Sequence, residues 1–126
     1  MFTAIKPGIK NTREVKVRVK DTALAYGSGD VDVYATPAMI ALMESTANQS
    51  LHDYLPDGYV TVGGEINVKH IKATPLAETV VAESELIKVD GKKLVFRVEA
   101  RDTKGVIGVG EHTRYILDKN KFMASL

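Results

Sequence analysis

At 126 residues the chain is long enough for one domain that buries roughly two-thirds of its unfolded surface. With no cysteine it cannot form disulfides, use a thiolate nucleophile or hold a Cys-ligated zinc. Lys and Arg number 17 and Asp and Glu 16, and a net charge of +1 leaves no broad basic footprint for nucleic acid or an anionic membrane. No charged and then apolar leader opens the chain and no apolar run approaches the roughly 18 residues of a membrane span, so a soluble cytoplasmic protein is expected.

In chain order, NTREVKVRVK (11–20) alternates apolar and polar residues through Val15, Val17 and Val19, the pattern of a half-buried strand. DTALAYGSGDVD (21–32) is turn-rich, and its Gly27, Ser28 and Gly29 predict an irregular segment. Thr36-Pro37 reads as a helix start, with Thr as N-cap and Pro in the first helical position. Met39, Leu42, Met43, Ala47, Leu51 and Tyr54 then recur at three- and four-residue steps, which predicts a helix running to about Tyr54 with an apolar stripe toward a core. Pro56-Asp57-Gly58 ends it.

The rest of the chain reads as β-structure. YVTVGGEINVKH (59–70), TVVAESELIKV (79–89), KLVFRVEARD (93–102) and VIGVGEHTRYIL (106–117) are rich in β-branched residues and separated by turn chemistry. The last three, joined by short turns, form an antiparallel meander. One long helix must cover the sheet, because nothing else in the chain can. The expected class is α+β, a curved antiparallel sheet of about five strands wrapped around a central helix, with residues 1–126 as one domain.

Three residues carry the parts of an activated nucleophile: the hydroxyl of Thr36, the carboxylate of Glu44 and the imidazole of His70. Counting by twos from Val60 places Val62, Gly64, Ile66, Val68 and His70 on one strand face, so the imidazole ends an apolar row turned toward the helix. Gly63-Gly64 in mid-strand signals a bulge or a close backbone approach that would make room for a ligand. On the last strand the same alternation turns His112 away from Ile107, Val109, Tyr115 and Leu117, toward solvent or a subunit contact. His52 lies near the helix end, where the dipole favours a cation. Three scattered histidines give no paired ligand spacing, so no metal site is expected. GSGD (27–30) is too short and wrongly placed for a phosphate-binding loop. Eight residues of straight helix hold Thr36 and Glu44 ~12 Å apart, so either Thr36 leaves the helix or the site draws on two chains.

The order strand, long helix, four strands is that of the hotdog fold. The segment from Tyr34 to Pro75 resembles the fluoroacetyl-CoA thioesterase-like family, through Ala35-Thr36 before the helix, Leu42-Met43-Glu44 on it, and His70 followed by Ala73-Thr74-Pro75. The resemblance extends more weakly through VDGKKLVFRVEARD and GVGEHTR to the Lys-Phe pair near the end. It implies an acyl-CoA thioesterase in which Thr36, Glu44 and His70 are catalytic and Gly63 lines the acyl pocket, Gly64 being its neighbour in the substrate-binding pair. It also implies a homodimer with shared sites, and no cofactor beyond the CoA that belongs to the substrate. The fluoroacyl-specific members carry aromatic residues before the Thr, where this chain has GSGDVDV (27–33), so ordinary short or medium acyl-CoAs are the expected substrates. Two other readings compete. A non-catalytic acyl-CoA-binding module would need the pocket but not the three residues. A hotdog hydratase would need an acid and a His five apart, and Glu65 and His70 have that spacing but opposite strand parity.

Overall fold

The computed structural model describes residues 2–126. Strand β1 (Lys10–Lys16) leads through a 3-10 turn at Val19–Asp21 and a one-turn helix α1 (Ala23–Tyr26) to the long helix α2 (Thr36–Gln49). Four strands follow, β2 (Tyr59–His70), β3 (Thr79–Asp90), β4 (Lys93–Asp102) and β5 (Gly105–Asp118), and a short helix α3 (Lys119–Ala124) closes the described chain. All pairings are antiparallel, in one five-stranded sheet of order β1-β3-β4-β5-β2. The predicted meander is β3-β4-β5, and the predicted class is the observed one.

Alternation explains how the sheet presents its face. Val80, Ala82, Ser84 and Leu86 of β3 and Leu94, Phe96, Val98 and Ala100 of β4 are buried on the side that α2 covers, through Ala38, Met39, Leu42, Met43, Thr46 and Ala47. Met39 and Met43 are fully buried, and truncating either to Ala would leave a cavity costing about 2–5 kcal/mol. The opposite face carries Glu83, Glu85, Arg97, Glu99 and Arg101 in a ladder of exposed ion pairs. Such pairs contribute little stability and keep that face solvated.

Besides the first strand, which runs Lys10–Lys16 and leaves Val19 exposed in the 3-10 turn instead of on the half-buried row, three expectations need correction. Regular helix stops at Gln49, and turns carry the chain through residues 50–54. Leu51 stays in the core, but the helical phase is lost before Tyr54, which is 41% exposed. The segment 21–32 is less irregular than expected: α1 is capped by the Thr22 hydroxyl on the Ala25 amide and ends at Gly27, whose φ of 70° suits a residue without Cβ.

Bulges cause the third and largest difference. In β2 the register shifts between Gly63 and Glu65, so Gly64 opposes no residue of β5. Before the shift Thr61 is buried and Gly63 faces α2; after it Ile66, Val68 and His70 take the inner row, as predicted. In β5 Ala100 pairs Gly108 while Arg101 pairs Val106, leaving Ile107 as the extra residue. Both Ile107 and Gly108 are buried, and the inner row continues through His112, Arg114 and Ile116. His112 is therefore 1% exposed, not solvent-facing, while Val109 and Tyr115 are outside.

Candidate active site

Thr36 is the first residue of α2. Ala35 is the N-cap and makes no side-chain cap bond, so the expected capping role of the Thr36 hydroxyl is not the observed one. Its Oγ1 lies 2.8 Å from Nδ1 of His70, the last residue of β2. Two backbone contacts bring these elements together just outside them: the Tyr34 amide donates to the Thr74 carbonyl at 2.8 Å, and Val33 bridges to Pro75. Thr36 is thus on the helix and needs no folded-back loop to reach the imidazole.

With the hydroxyl donating, Nδ1 is the acceptor and Nε2 carries the ring proton. Nε2 is buried and has no partner meeting hydrogen-bond geometry among the described residues. Burial lowers the imidazole pKa below its ordinary value, and the nearby Lys72 backbone opposes that shift. A neutral ring with a free lone pair on Nδ1, aimed at a hydroxyl, is the arrangement of a general base. The pair opens into a cavity of about 350 Å3 whose walls include Ala23, Ser28, Val33, Tyr34 and Lys72. The amides of Thr36 and Ala38 lie in the first turn of α2, where no intrahelical carbonyl reaches them, and they suit a developing oxyanion.

Glu44 lies elsewhere in the chain. Two turns along α2, it lines a second opening of about 430 Å3 with Asn48, Thr61, Gly63 and Arg114. A Cβ on Gly63 would stand 3.1 Å from Glu44 Oε2 and 3.2 Å from His112 Cε1. Gly63 is therefore where the backbone must pass close under the carboxylate. Gly64 differs: its missing Cβ is directed at the ring of Tyr115, 2.5 Å away on the outer face, so it leaves no room on the side of Glu44. Gly63→Ala should push the carboxylate aside and lower kcat about tenfold or more with little change in thermal midpoint, since a small misplacement in a site is felt strongly in rate. Steady-state kinetics and a thermal melt on one preparation check this.

The alternation rule missed the group behind Glu44. Arg114 is 7% exposed and has no carboxylate within ion-pair distance among the described residues. Instead its Nε donates to Thr61 Oγ1 at 2.8 Å and its Nη2 to the Thr61 carbonyl at 3.0 Å, and Nη1 donates to His112 Nε2 at 3.0 Å. His112 Nδ1 in turn donates to the Glu65 carbonyl at 2.7 Å. Burial first, with Arg114 beside it, lowers the His112 pKa, so the ring stays neutral and accepts. The cue available in the sequence was Arg114 and His112 two apart on one strand, readable only once the bulge is known.

The hydratase geometry does not form. The register shift precedes Glu65, so Glu65 and His70 keep opposite parity, and Glu65 is exposed. No cluster of three or more metal-ligating side chains occurs among the described residues, and no described helix is long and apolar enough to cross a membrane.

A single helix wrapped by a five-stranded antiparallel sheet, with a hydroxyl–imidazole pair where the helix begins, defines the class: a hotdog-fold protein with the parts of a thioesterase site. Comparison with known proteins narrows it. Residues 17–120 match the family model FlK, fluoroacetyl-CoA-specific thioesterase, and the chain belongs to that family. It is 38% identical over 95 residues to a fluoroacetyl-CoA thioesterase of Streptantibioticus cattleyicolor, covering 75% of this chain and 68% of the relative. Among solved structures it resembles the fluoroacetyl-CoA thioesterase FlK, with a TM-score of 0.90, 32% identity, and 96% and 94% of the two chains covered. A thioesterase superfamily member from Thermus thermophilus gives a TM-score of 0.89 at 27% identity, over 96% and 90% of the chains.

Proposed function

We propose that the protein is an acyl-CoA thioesterase, hydrolysing an acyl-CoA to the free acid and CoA. The observation that carries this is the 2.8 Å Thr36–His70 pair at the mouth of the cavity, in a chain of the thioesterase family. Solved complexes of FlK mutants, one with acetyl-CoA and one with fluoroacetate and CoA, support the substrate class. A thioester carbonyl is electrophilic and its thiolate leaves readily, so the site needs an oxygen nucleophile, a base and oxyanion donors. His70 takes the proton from the attacking oxygen, of Thr36 or of a water, as that oxygen adds to the thioester carbonyl; the first-turn amides of α2 hold the oxyanion, whose collapse breaks the C–S bond and releases CoA as a thiolate. Attack by water gives the free acid directly, and attack by Thr36 leaves an acyl ester that a second water, deprotonated by His70, hydrolyses. No other cofactor enters, and a cytoplasmic location belongs to the same reading.

Glu44 joins the site from a second copy. Strand β2 is a 12-residue edge of the sheet, with β5 on one side only, and a long open edge favours pairing. Gly63, beneath Glu44, lies near the middle of that strand and His70 at its end. Antiparallel pairing of β2 with its twofold mate would carry Glu44 of the partner subunit toward Thr36 and His70, so that the thioester sits between two chains. Within one chain the separation of Thr36 and Glu44, ~12 Å along the helix axis, prevents that meeting.

The acyl group is an ordinary short or medium one. Ser28 and Val33 line the cavity, and no aromatic residue lies between Gly27 and Val33 to pack over the acyl chain. The ratio of kcat/KM for fluoroacetyl-CoA over acetyl-CoA should stay within about tenfold, as expected where a pocket reads only small differences in shape and polarity. A panel of acyl-CoAs assayed with a thiol reagent tests both the activity and the preference. A protein that binds acyl-CoA and releases no thiol would instead be a binding module, and a ratio far above tenfold would show a gate that the 27–33 segment supplies some other way.

A further inference from the structure

The two strands of chain that hold Thr36 and His70 are not fastened to each other by the sheet. Residues 33–35 lead into α2 and residues 71–75 lead out of β2, and both lie outside the named strands, joined by the Val33–Pro75 bridge. Beyond the Ile71 amide, which donates to the Ile107 carbonyl of β5 at 2.7 Å, a buried carboxylate joins this junction to the sheet. Asp102, the last residue of β4, has a side chain only 1% exposed. It accepts from the Thr74 hydroxyl at 2.9 Å, from Lys72 Nζ at 3.3 Å and from the Lys104 amide at 2.8 Å. Thr74 is fully buried, and its carbonyl is the acceptor of the Tyr34 amide. Lys72 forms part of the cavity wall, and its backbone lies near the His70 ring.

We infer that Asp102 is a positioning residue for the Thr36–His70 pair, acting through Thr74 on the segment before Thr36 and through Lys72 on the segment after His70. Its charge matters as well as its shape. All three contacts are donors, Lys72 and Lys104 on one oxygen and the Thr74 hydroxyl on the other. An amide in its place loses the charge that the Lys72 ammonium meets and makes the Thr74 hydroxyl turn from donor to acceptor, which weakens the charge-assisted ties of the junction. The resulting shift falls on the junction that sets the distance between the hydroxyl and Nδ1. Asp102 touches neither of those atoms.

The inference rests on the reading of Thr36 and His70 as catalytic, so the His70→Ala variant is assayed alongside. If His70→Ala turns over normally, it is that reading which fails. With His70→Ala inactive, Asp102→Asn should lower kcat roughly 10- to 100-fold with KM changed by less than about threefold, the pattern of a misaligned reacting pair. Thr74→Val, which keeps the shape and loses the hydroxyl, should show the same split, and Thr74→Ser should recover most of the loss. The His70 ring, followed by NMR titration, should move back toward the ordinary histidine pKa in Asp102→Asn as the junction loosens. These measurements are made on protein shown to be folded by circular dichroism, and if Asp102→Asn does not fold the Thr74 pair decides. Folded variants with wild-type kcat, or a loss shared equally by Thr74→Val and Thr74→Ser, would overturn the inference.

Discussion

Replacing His70 by alanine should lower kcat for a good acyl-CoA at least ~10²-fold while leaving the fold intact, as removal of a general base does. The ring sits at the end of β2 and lines the cavity, so its loss leaves the apolar core of Met39, Met43 and Phe96 untouched. Kinetics paired with a thermal melt separate the outcomes, since near-normal turnover in a folded variant would remove His70 from the mechanism. The pH profile adds a second reading. Burial lowers the His70 pKa, so the neutral base persists further into acid than a free imidazole would. Activity should rise as pH increases through the acid limb of kcat/KM, and two influences set its midpoint: burial holds it below the ordinary histidine value of about 6.5, while Glu44 of the partner subunit, brought beside the ring in the shared site, acts in the opposite direction. Glu44→Gln should therefore move the midpoint to lower pH, and an unmoved midpoint would mean that Glu44 does not face the ring.

Mixing inactive variants should show which groups share a chain. Thr36 and His70 are hydrogen-bonded within one protomer, so Thr36→Ala and His70→Ala chains, exchanged into one another, should give a heterodimer with one doubly damaged half-site pair and one intact pair only if they belong to different halves. Because they belong to the same half, both sites in that heterodimer are damaged and activity stays absent. Glu44→Ala mixed with His70→Ala should behave differently. One of the two sites then receives both intact groups, and with random exchange half the dimers are mixed, so activity should return to roughly a quarter of wild type. Recovery in the first mixture would place Thr36 and His70 in different halves of a site. No recovery in the second, with exchange confirmed by mass spectrometry, would leave Glu44 outside the partner's site. A fully active monomer by light scattering at assay concentration would remove the shared site altogether.

Reading the elements from the chain succeeded where one rule acted alone. The strand read as residues 59–70 has those ends in the structure, and those read as 79–89, 93–102 and 106–117 end within one residue of the observed strands. Period-two alternation and turn residues are local properties, and a strand bounded by Asp-Gly or Thr-Lys-Gly has little freedom in where it stops. The apolar stripe of α2 was legible for the same reason, from Met39 to Ala47.

The composition of the site was also legible in part. Residue types suited to activate an oxygen nucleophile, and an imidazole on the inner row of a strand, are visible without coordinates, and Thr36 and His70 do meet. Their partners were not. Each bulge inserts one residue and reverses the face of everything beyond it; the mid-strand pair Gly63-Gly64 signalled the one in β2, but nothing local marks Val106-Ile107 as the point where the reversal happens in β5. For that reason His112, assigned to the outer face by counting, stands inside behind Glu44, together with Arg114. Asp102 was invisible as well, since its three donors come from positions 72, 74 and 104 and converge only when β4 ends beside the exit of β2. The chain alone determined which segments are strands, which is the long helix and which side chains could do acid–base chemistry, because these follow from neighbours in sequence. Tertiary structure decided which face each residue takes past a bulge, that Thr36 meets His70, and that Glu44 stands apart from them within the chain, because these depend on register between segments far apart in the chain.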